Sequence, residues 1–318
     1  MDVVYLKNKV IDGYSINKKE AMELYNCDYE QLRKSANEIR KFFMENSFDI
    51  CTIINAKSGR CSEDCKFCSQ SVYSDCNIKG YPLLNADEIV ADAKRQRDNG
   101  ILKYSLVTSG KRLLGSEVAE VANVVRRIKE EVNIEVCISG GLLSFENFKV
   151  LKEAGVTRVH NNLETSESYF KNVCTTHKFS EKLKAIEDAK KSGMEICSGG
   201  IIGLGESVKD RIEMAIELRK LNIKSVPINV LNPIKGTSLG ENNPLSMEEI
   251  NRTISVFRFI LKDSFIRLAG GRTLMKDRGE SAFLSGANAT ISGDLLTTSG
   301  IDTKTDIKLI KDLGFSLD

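Results

Sequence analysis

The strongest constraint on the fold is an alternation of short apolar strand patterns with amphipathic helix patterns, which runs from about residue 49 to the end of the 318-residue chain. Strands separated by helices favour a parallel sheet with the helices on its outer faces. Eight such strands predict a TIM-type (β/α)8 barrel, and a doubly wound open sheet is the alternative. The predicted strands are Asp49–Asn55, Leu102–Thr108, Ile134–Ile138, Thr157–Asn161, Glu195–Ile202, Ser225–Val230, Phe265–Leu268 and Ala287–Ser292.

The residues before this alternation carry a helical pattern. Asn17 followed by Glu20 is typical of a capping box, and apolar residues recur at helical spacing from Tyr29 to Phe43. We therefore predict an N-terminal helical cap at residues 1–48 and a barrel domain at residues 49–318. Open and closed parallel sheets both carry their sites at the carboxyl ends of the strands, so the functional residues are expected there.

Composition excludes several classes of partner. The 46 Lys and Arg residues nearly balance the 44 Asp and Glu residues, so no general nucleic-acid or membrane surface is indicated. No apolar run approaches the roughly 20 residues of a membrane span, and no secretory signal opens the chain. We expect a cytoplasmic protein whose nine cysteines act as ligands, reactive groups or small apolar residues.

Three of these cysteines form the most informative motif. Cys61, Cys65 and Cys68 lie within eight residues, directly after the first predicted strand. Structural zinc usually takes four protein ligands, and a fourth ligand at zinc-finger spacing is missing here because Cys76 lies eight residues further on. An iron–sulfur cluster held by three thiolates leaves one iron open to an outside ligand. We favour that interpretation, with zinc as the alternative.

The motif and its surroundings resemble the biotin synthase family of the radical S-adenosylmethionine (SAM) superfamily. The resemblance rests on several blocks in the same order, which are Ile54–Ser71, Asn161–Ser166, Cys197–Glu206, Val226–Asn229, Arg267–Arg272 and Leu295–Thr298. It implies a (β/α)8 barrel that inserts sulfur into dethiobiotin to give biotin. Unactivated C–H bonds are opened in that family by a 5′-deoxyadenosyl radical made from SAM at a [4Fe-4S] cluster, and an auxiliary iron–sulfur cluster donates the sulfur. The resemblance also implies a homodimer and flavodoxin or ferredoxin as electron donor.

Site residues follow from the same resemblance, position by position. Cys61, Cys65 and Cys68 would hold the [4Fe-4S] cluster, and Phe67 would lie against the adenine. The His177 side chain is predicted to face the SAM carboxylate, with an ordinary partly buried His as the alternative. Residues expected to contact SAM or the substrate are Asn162 and Glu164, where Asp is common in the family, together with Asn229, Thr297 and Thr298. The glycines from Gly199 to Gly205 are predicted to allow close backbone approach to SAM rather than to form a P-loop, because no Lys follows them as a P-loop requires.

The auxiliary cluster is where the sequence departs from the family. Cys137, Cys197 and Arg267 match three of its four usual ligand positions, but Ser105 stands where a Cys is expected. Serine is a harder and more basic ligand than a thiolate. We predict that Cys174 joins Cys137 and Cys197 around a cluster that is larger than the usual [2Fe-2S] cluster or otherwise altered. The alternative is that Ser105 itself ligates and Cys174 is a small loop residue. Cys27, Cys51 and Cys76 are interpreted as packing or surface thiols.

Two further functions stay open at this level. One is a different radical SAM enzyme, such as a hydrogenase-cofactor maturase or an amino-acid mutase. The other is a non-catalytic iron–sulfur carrier or zinc protein. The combination of Cys137, Cys197 and Arg267 with the Thr297–Thr298 pair favours the biotin synthase family over both.

Overall fold

The computed structural model describes residues 1–59 and 61–317, and it has the predicted alternating architecture. The helices are α1 (Val3–Ile11), α2 (Lys18–Tyr25), α3 (Tyr29–Met44), α4 (Ala86–Asp98), α5 (Gly115–Glu131), α6 (Phe145–Ala154), α7 (Glu167–Phe170), α8 (Phe179–Lys191), α9 (Val208–Lys220), α10 (Met247–Ile260), α11 (Glu280–Phe283) and α12 (Thr303–Asp312), with a 3₁₀ turn at Arg272–Leu274. The strands are β1 (Ser47–Lys57), β2 (Lys103–Thr108), β3 (Glu135–Ser139), β4 (Val156–His160), β5 (Glu195–Cys197), β6 (Gly200–Ile202), β7 (Ser225–Val230), β8 (Phe265–Leu268), β9 (Ala289–Ile291) and β10 (Ser316–Leu317).

The sheet closes on itself. The strands pair in the order β1-β2-β3-β4-β5-β7-β8-β9, every pairing is parallel, and β9 returns to pair with β1. The short β6 continues the course of β5 and pairs with β7, while β10 pairs with the start of β1. The prediction of a (β/α)8 barrel is confirmed, and the open sheet is excluded.

Local signals explain why the helices begin where they do. Capping boxes open α2 at Asn17, α4 at Asn85, α9 at Ser207 and α10 at Ser246, so the first backbone N–H groups are satisfied by side chains. Helix α6 ends at Gly155, whose φ of 111° lies in the left-handed region that glycine tolerates. These signals fix the helices that cover the outside of the barrel.

The N-terminal helices pack on one side of the barrel. Helix α3 lies against α1 and α10, and α2 lies against α9 and α10. Strand β1 begins at Ser47, two residues before the predicted start of the barrel domain at residue 49. The division into a helical cap and a barrel domain stays a prediction.

One predicted strand is interrupted. The pattern from Glu195 to Ile202 predicted a single strand, but the chain leaves the sheet at Ser198 and Gly199. A Cβ on Gly199 would lie 1.9 Å from the carbonyl oxygen of Pro227, and the Gly199 N–H donates to Asn162 Oδ1 at 3.1 Å. Close contact with β7 and with the segment after β4 therefore displaces the backbone, which the apolar pattern could not indicate.

No helix within the described residues has both the length and the apolar character needed to cross a bilayer.

Candidate active site

The three-cysteine loop follows β1 and folds back on itself. The Cys61 N–H donates to the carbonyl of Gln70 at 2.7 Å, and the Val72 N–H donates to the carbonyl of Cys61 at 2.9 Å. Within the loop, the Cys68 N–H donates to the carbonyl of Cys65 at 3.0 Å. All three thiols are partly buried and none forms a disulfide. The loop therefore presents Cys61, Cys65 and Cys68 from one short, internally bonded segment.

A second loop, residues 173–177 between α7 and α8, clamps the cysteine loop. The Asp64 carboxylate accepts hydrogen bonds from the backbone of Thr175 at 2.8 Å and Thr176 at 3.2 Å, and from their hydroxyl groups. Burial opposes ionisation of Asp64, but the hydrogen bonds from Thr175 and its neighbours outweigh it and hold the pKa of Asp64 below its usual range. The Lys66 N–H donates to the carbonyl of Val173 at 3.0 Å. The position of the cysteines is thus fixed by a loop more than a hundred residues away in sequence.

His177 lies at the centre of this clamp. Its Nδ1 is 2.5 Å from Glu63 Oε2 and 3.2 Å from Cys174 Sγ. Burial favours the neutral ring, but the hydrogen bonds to Cys174 and Glu63 outweigh burial and raise the pKa of His177. The ligand atoms of Cys65, Cys174 and His177 all lie within 4.8 Å of one another. A hydrogen bond from Cys65 lowers the pKa of Cys174 to about 5, and the same contact raises the pKa of Cys65.

The position of Cys174 does not agree with its predicted role. The sequence analysis placed Cys174 with Cys137 and Cys197, but its Sγ contacts Asp64 at 3.1 Å and His177, both of which belong to the cysteine-loop clamp. The reason is the short helix α7, which brings the start of the 173–177 loop back over the mouth of the barrel. Cys174 therefore lies beside Cys65 and not with the interior thiols.

Glu164 occupies a strained position in the segment that follows β4. Its φ of 71° is unusual for a non-glycine residue, and such strain is characteristic of functional sites. Backbone bonds to Gly199 and Ile201 hold the strand end in place. One carboxylate oxygen lies 3.6 Å from Lys182 Nζ, while Oε2 is buried and has no hydrogen-bond partner among the residues that the structure describes. A buried, unpaired carboxylate oxygen is costly unless a ligand donates to it, which fits a diol or amide donor.

Other predicted ligand-binding residues border the same mouth. Thr297 Oγ1 lies 3.0 Å from the hydroxyl of Ser69, immediately after the cysteine motif. The Asn229 amide bonds to the backbone of Gly200 and Gly270, which uses one donor hydrogen and one acceptor lone pair and leaves one of each. Thr298 accepts a backbone bond from Leu295 in the loop after β9.

Phe67 supplies an apolar surface beside these groups. Its ring packs on a small cluster separate from the main core, formed by Val173, Ile201, Leu204 and Leu231 with neighbouring side chains. Gly203 and Gly205 lie in the same region, and both have positive φ angles, 97° and 98°. The combination of an aromatic ring with a glycine-rich backbone fits a flat, heteroaromatic ligand group such as adenine.

The interior of the barrel below this mouth is charged rather than apolar. Asp49 is fully buried and pairs with Arg267 at 2.7 Å, Lys103 at 3.0 Å and Arg158 at 3.4 Å. Burial alone would raise the pKa of Asp49, but these three cations lower it to about 2. Three cations around one carboxylate leave positive charge that the exposed Glu195, beside Arg158, partly offsets. Buried charge of this kind requires anionic partners.

Two buried thiols lie near these cations. Cys137 on β3 and Cys197 on β5 are buried on alternate strands of the sheet, with β4 between them. Burial raises the pKa of Cys197, but a hydrogen bond from His160 and the charge of Arg267 outweigh it and lower that pKa to about 7. The Ser225 hydroxyl also donates to Cys197 Sγ at 3.2 Å. Ser105 pairs with Cys137 in the β2–β3 register and is buried beside it. The excess of cations around these thiols fits an anionic thiolate cluster.

Sequence reasoning missed three features of this interior. Asp49, Arg158 and Cys51 were not selected as site residues, yet all three take part in the charged network. Period-two alternation along β1 was the available signal, because it places Asp49 and Cys51 on the same face.

Comparison with known proteins agrees with this geometry. Residues 56–218 match the Radical SAM superfamily, and residues 227–316 match the Biotin and Thiamin Synthesis associated domain. The solved structure of a methylornithine synthase superposes with a TM-score of 0.85 at 20% identity, covering 98% of this chain and 97% of that chain. The FeFe-hydrogenase maturase HydG from Carboxydothermus hydrogenoformans superposes with a TM-score of 0.84 at 16% identity, covering 100% of this chain and 79% of that chain. These two likenesses concern the fold alone. The barrel, the cysteine loop and the matched domain define a radical SAM protein.

Relatives of known function identify the family within the radical SAM superfamily. Biotin synthase from Clostridium botulinum (strain Hall) is 51% identical over 316 residues, which cover 99% of each chain. Biotin synthase from Brachyspira hyodysenteriae is 50% identical over 313 residues, covering 98% of this chain and 94% of that protein, and the enzyme from Clostridium perfringens (strain 13) is 49% identical over 315 residues, covering 99% of each. The chain belongs to the biotin synthase family.

Proposed function

We propose that this chain converts dethiobiotin to biotin by radical SAM sulfur insertion. The observation that carries the proposal is the presence of two separate thiol sets in one barrel. One set, Cys61, Cys65 and Cys68, lies on the loop at the mouth, and the other, with Cys137 and Cys197, lies inside. Insertion of sulfur into a C–H bond needs both a radical source and a sulfur source, and two thiol sets can hold one of each.

The mouth of the barrel would hold a [4Fe-4S] cluster with SAM. Cys61, Cys65 and Cys68 are assigned as its ligands, with Phe67 against the adenine and Glu164 Oε2 as acceptor for the ribose hydroxyls. His177 would be the cationic partner of the SAM carboxylate, supported by its raised pKa. When bound, the cofactors supply the radical chemistry and the sulfur atom, and the protein positions them and excludes water.

The substrate would lie between the two thiol sets. Asn162 and Asn229 have amide groups near the strand ends that suit a ureido ring, which offers both N–H donors and a carbonyl acceptor. Thr297 and Thr298 would bind the substrate carboxylate from the loop after β9. Inside the barrel, the surplus of buried cations around Cys137 and Cys197 would stabilise an auxiliary iron–sulfur cluster.

The wider setting of the enzyme is proposed from the family resemblance. We assign a cytoplasmic homodimer that receives electrons from reduced flavodoxin or ferredoxin. We also keep the division into a helical cap at residues 1–48 and a barrel domain at residues 49–318.

One observation favours a second candidate. Cys65, Cys174 and His177 lie close enough together to bind a single metal ion, and thiolate and imidazole ligands suit zinc. A zinc protein of this kind would be colourless, would lack iron and would not cleave SAM. Metal analysis of protein purified without oxygen separates the two candidates.

The test of the proposed function is an anaerobic assay with reconstituted protein, SAM, dethiobiotin and a reductant, read by mass analysis of biotin and 5′-deoxyadenosine. Wild-type protein is expected to form both products. Cys65→Ala is expected to form neither, whereas Cys137→Ala is expected to form 5′-deoxyadenosine without biotin. Cys27→Ala, which changes a thiol between α2 and α3, is the matched control and should behave as wild type. Absence of both products from iron-loaded wild-type protein would reject the proposal.

A further inference from the structure

Four inward-facing side chains lie on alternate strands of the barrel. Cys51 is on β1, Cys137 on β3, Cys197 on β5 and Arg267 on β8. In the order of the closed sheet these are the first, third, fifth and seventh strands, because β6 lies outside that order. In (β/α)8 barrels, each interior layer is built from four side chains on alternate strands. Ser105 is on β2 and belongs to the other set of strands.

The contacts show that these four side chains are neighbours. Arg267 Nη1 lies 3.2 Å from Cys51 Sγ, and the same guanidinium donates to the carbonyl of Thr290 at 2.8 Å and to Asp49. Coulombic interactions link Cys51 to Cys197, and Cys137 to both Cys51 and Cys197, so each thiol lies within electrostatic reach of the other two.

The neighbouring cations make this group of thiols suitable for binding as thiolates. Arg267, Arg158 and Lys103 surround a single buried carboxylate, Asp49. The surplus positive charge of these groups favours thiolates over neutral thiols among the side chains that face them. Soft thiolates also bind iron–sulfur clusters better than a hard serine oxygen does.

We propose that Cys51 is the third thiolate ligand of the auxiliary cluster, together with Cys137 and Cys197, and that it replaces the ligand missing at Ser105. Arg267 then acts as a positioning residue that donates a hydrogen bond to the Cys51 sulfur while Asp49 holds its guanidinium. The inference rests on the auxiliary cluster of the proposed function. It adds a ligand on β1, changes Arg267 from a predicted ligand to a positioning residue, and removes both Ser105 and Cys174 from the ligand set.

The geometry of the two rejected ligands supports this choice. Cys174 Sγ is occupied by Asp64, His177 and Cys65 at the mouth of the barrel. Ser105 lies beside Cys137 in register, so it borders the cluster without offering a thiol. The thiol missing on β2 is thus replaced on the adjacent strand, since β1 and β2 are hydrogen-bonded neighbours.

The test uses the full-length chain, reconstituted anaerobically with iron and sulfide, and measures iron and acid-labile sulfide per chain together with Mössbauer spectra. Cys51→Ala is expected to lose the auxiliary-cluster signal as completely as Cys137→Ala does, while keeping the signal of the cluster at Cys61, Cys65 and Cys68. Ser105→Ala and the control Cys27→Ala should keep both signals. An unchanged auxiliary spectrum in Cys51→Ala, or loss of that spectrum in Ser105→Ala, would overturn the inference.

A second variant covers the case in which Cys51→Ala does not fold. Cys51→Ser preserves the size of the side chain and should shift the auxiliary spectrum, because a harder oxygen replaces sulfur. A spectrum identical to that of wild type would reject Cys51 as a ligand. If wild-type protein holds only one cluster, the proposed auxiliary cluster is rejected. If it holds a second cluster whose spectrum does not change in the Cys51 variants, only the assignment of Cys51 as a ligand is rejected.

Discussion

At the scale of single residues, Glu164 is a polar group that is available to hydrogen-bond with a ligand. One carboxylate oxygen is buried with no partner in the described part of the chain, and the backbone φ is 71°; both features are unfavourable in the absence of a ligand. The surrounding backbone bonds to Gly199 and Ile201 keep the residue in this conformation. The sequence predicted Glu164 as a contact residue through family resemblance, but its strain depends on the interruption between β5 and β6 and was visible only in the structure.

We predict that Glu164→Gln weakens SAM binding about 10- to 100-fold. A hydrogen bond to a charged group contributes about 1.5–3 kcal/mol, and the amide keeps the shape of the side chain while removing the charge. Equilibrium binding of SAM to the reconstituted protein measures the effect. The control is Glu167→Gln, which changes an exposed residue in the first turn of α7. Equal SAM affinity in wild type and Glu164→Gln would show that the carboxylate does not contact the ligand.

The role of Cys51 could not be predicted from its neighbours in the sequence alone. It was interpreted as a packing thiol because no spacing motif includes it. Alternation along β1 places it on the inner face, but only the closed register shows that Cys137, Cys197 and Arg267 share that layer. The prediction that Cys174 lies with Cys137 and Cys197 disagrees with the structure for a similar reason. Contacts across the barrel mouth depend on loop geometry that the sequence does not display.

At the scale of elements, several boundaries followed from local signals. Strands β7 and β8 have the predicted limits, and the capping residue Asn17 opens its helix as predicted. These features depend on interactions within a few residues, which explains why the sequence was sufficient. The break between β5 and β6 depends on contact with β7 and was missed.

We predict that Gly200→Ala destabilises the protein at the interruption between β5 and β6. A Cβ at position 200 would lie 2.4 Å from the Glu164 carbonyl oxygen and 2.4 Å from Met214 Sδ, and the backbone oxygen cannot move without breaking the bond to Ile201. Overpacking of this kind costs about 1–3 kcal/mol of unfolding free energy. Chemical denaturation of the cluster-free protein measures it.

The matched control for this experiment is Gly115→Ala at the start of α5. Apart from its chain neighbours and the backbone of its own helix, no heavy atom of the described residues lies within 4 Å of the new Cβ, so we expect no loss and a gain of about 0.4–1 kcal/mol from reduced freedom of the unfolded chain. Equal stabilities of Gly200→Ala and Gly115→Ala would contradict the close packing described here.

At the scale of the whole molecule, the barrel departs from the apolar interior that usually stabilises this fold. The ion pairs of Asp49 link β1 to β2, β4 and β8, so one carboxylate connects strands on opposite sides of the closed sheet. The strand alternation predicted the barrel, but the charged network could not be read from it, because the four residues are far apart in sequence.

We predict that Asp49→Asn destabilises the cluster-free protein by about 3–5 kcal/mol at pH 7, because it leaves buried cations without their carboxylate. Since the folded pKa of Asp49 is lowered to about 2, its contribution is fully present above the unfolded pKa of about 3.9 and is lost as the pH falls towards 2. Unfolding free energies of wild type and variant at neutral and acidic pH should therefore converge on acidification. The control is Asp75→Asn, at an exposed site.

A difference between wild type and Asp49→Asn that is independent of pH would contradict the assignment of Asp49 to a buried ionic network. Loading with iron and sulfide should reduce the difference, because cluster thiolates would then face Arg267, Arg158 and Lys103.

The most direct test of the central claim, that the interior thiols hold the sulfur delivered to the product, is isotope tracing. The protein is reconstituted with ³⁴S-sulfide, freed of excess sulfide, and allowed one turnover with dethiobiotin and SAM under reducing, anaerobic conditions. Mass analysis of the product should show ³⁴S in biotin made by wild-type protein and no biotin from Cys137→Ala. Unlabelled biotin from ³⁴S-loaded wild-type protein would contradict the account.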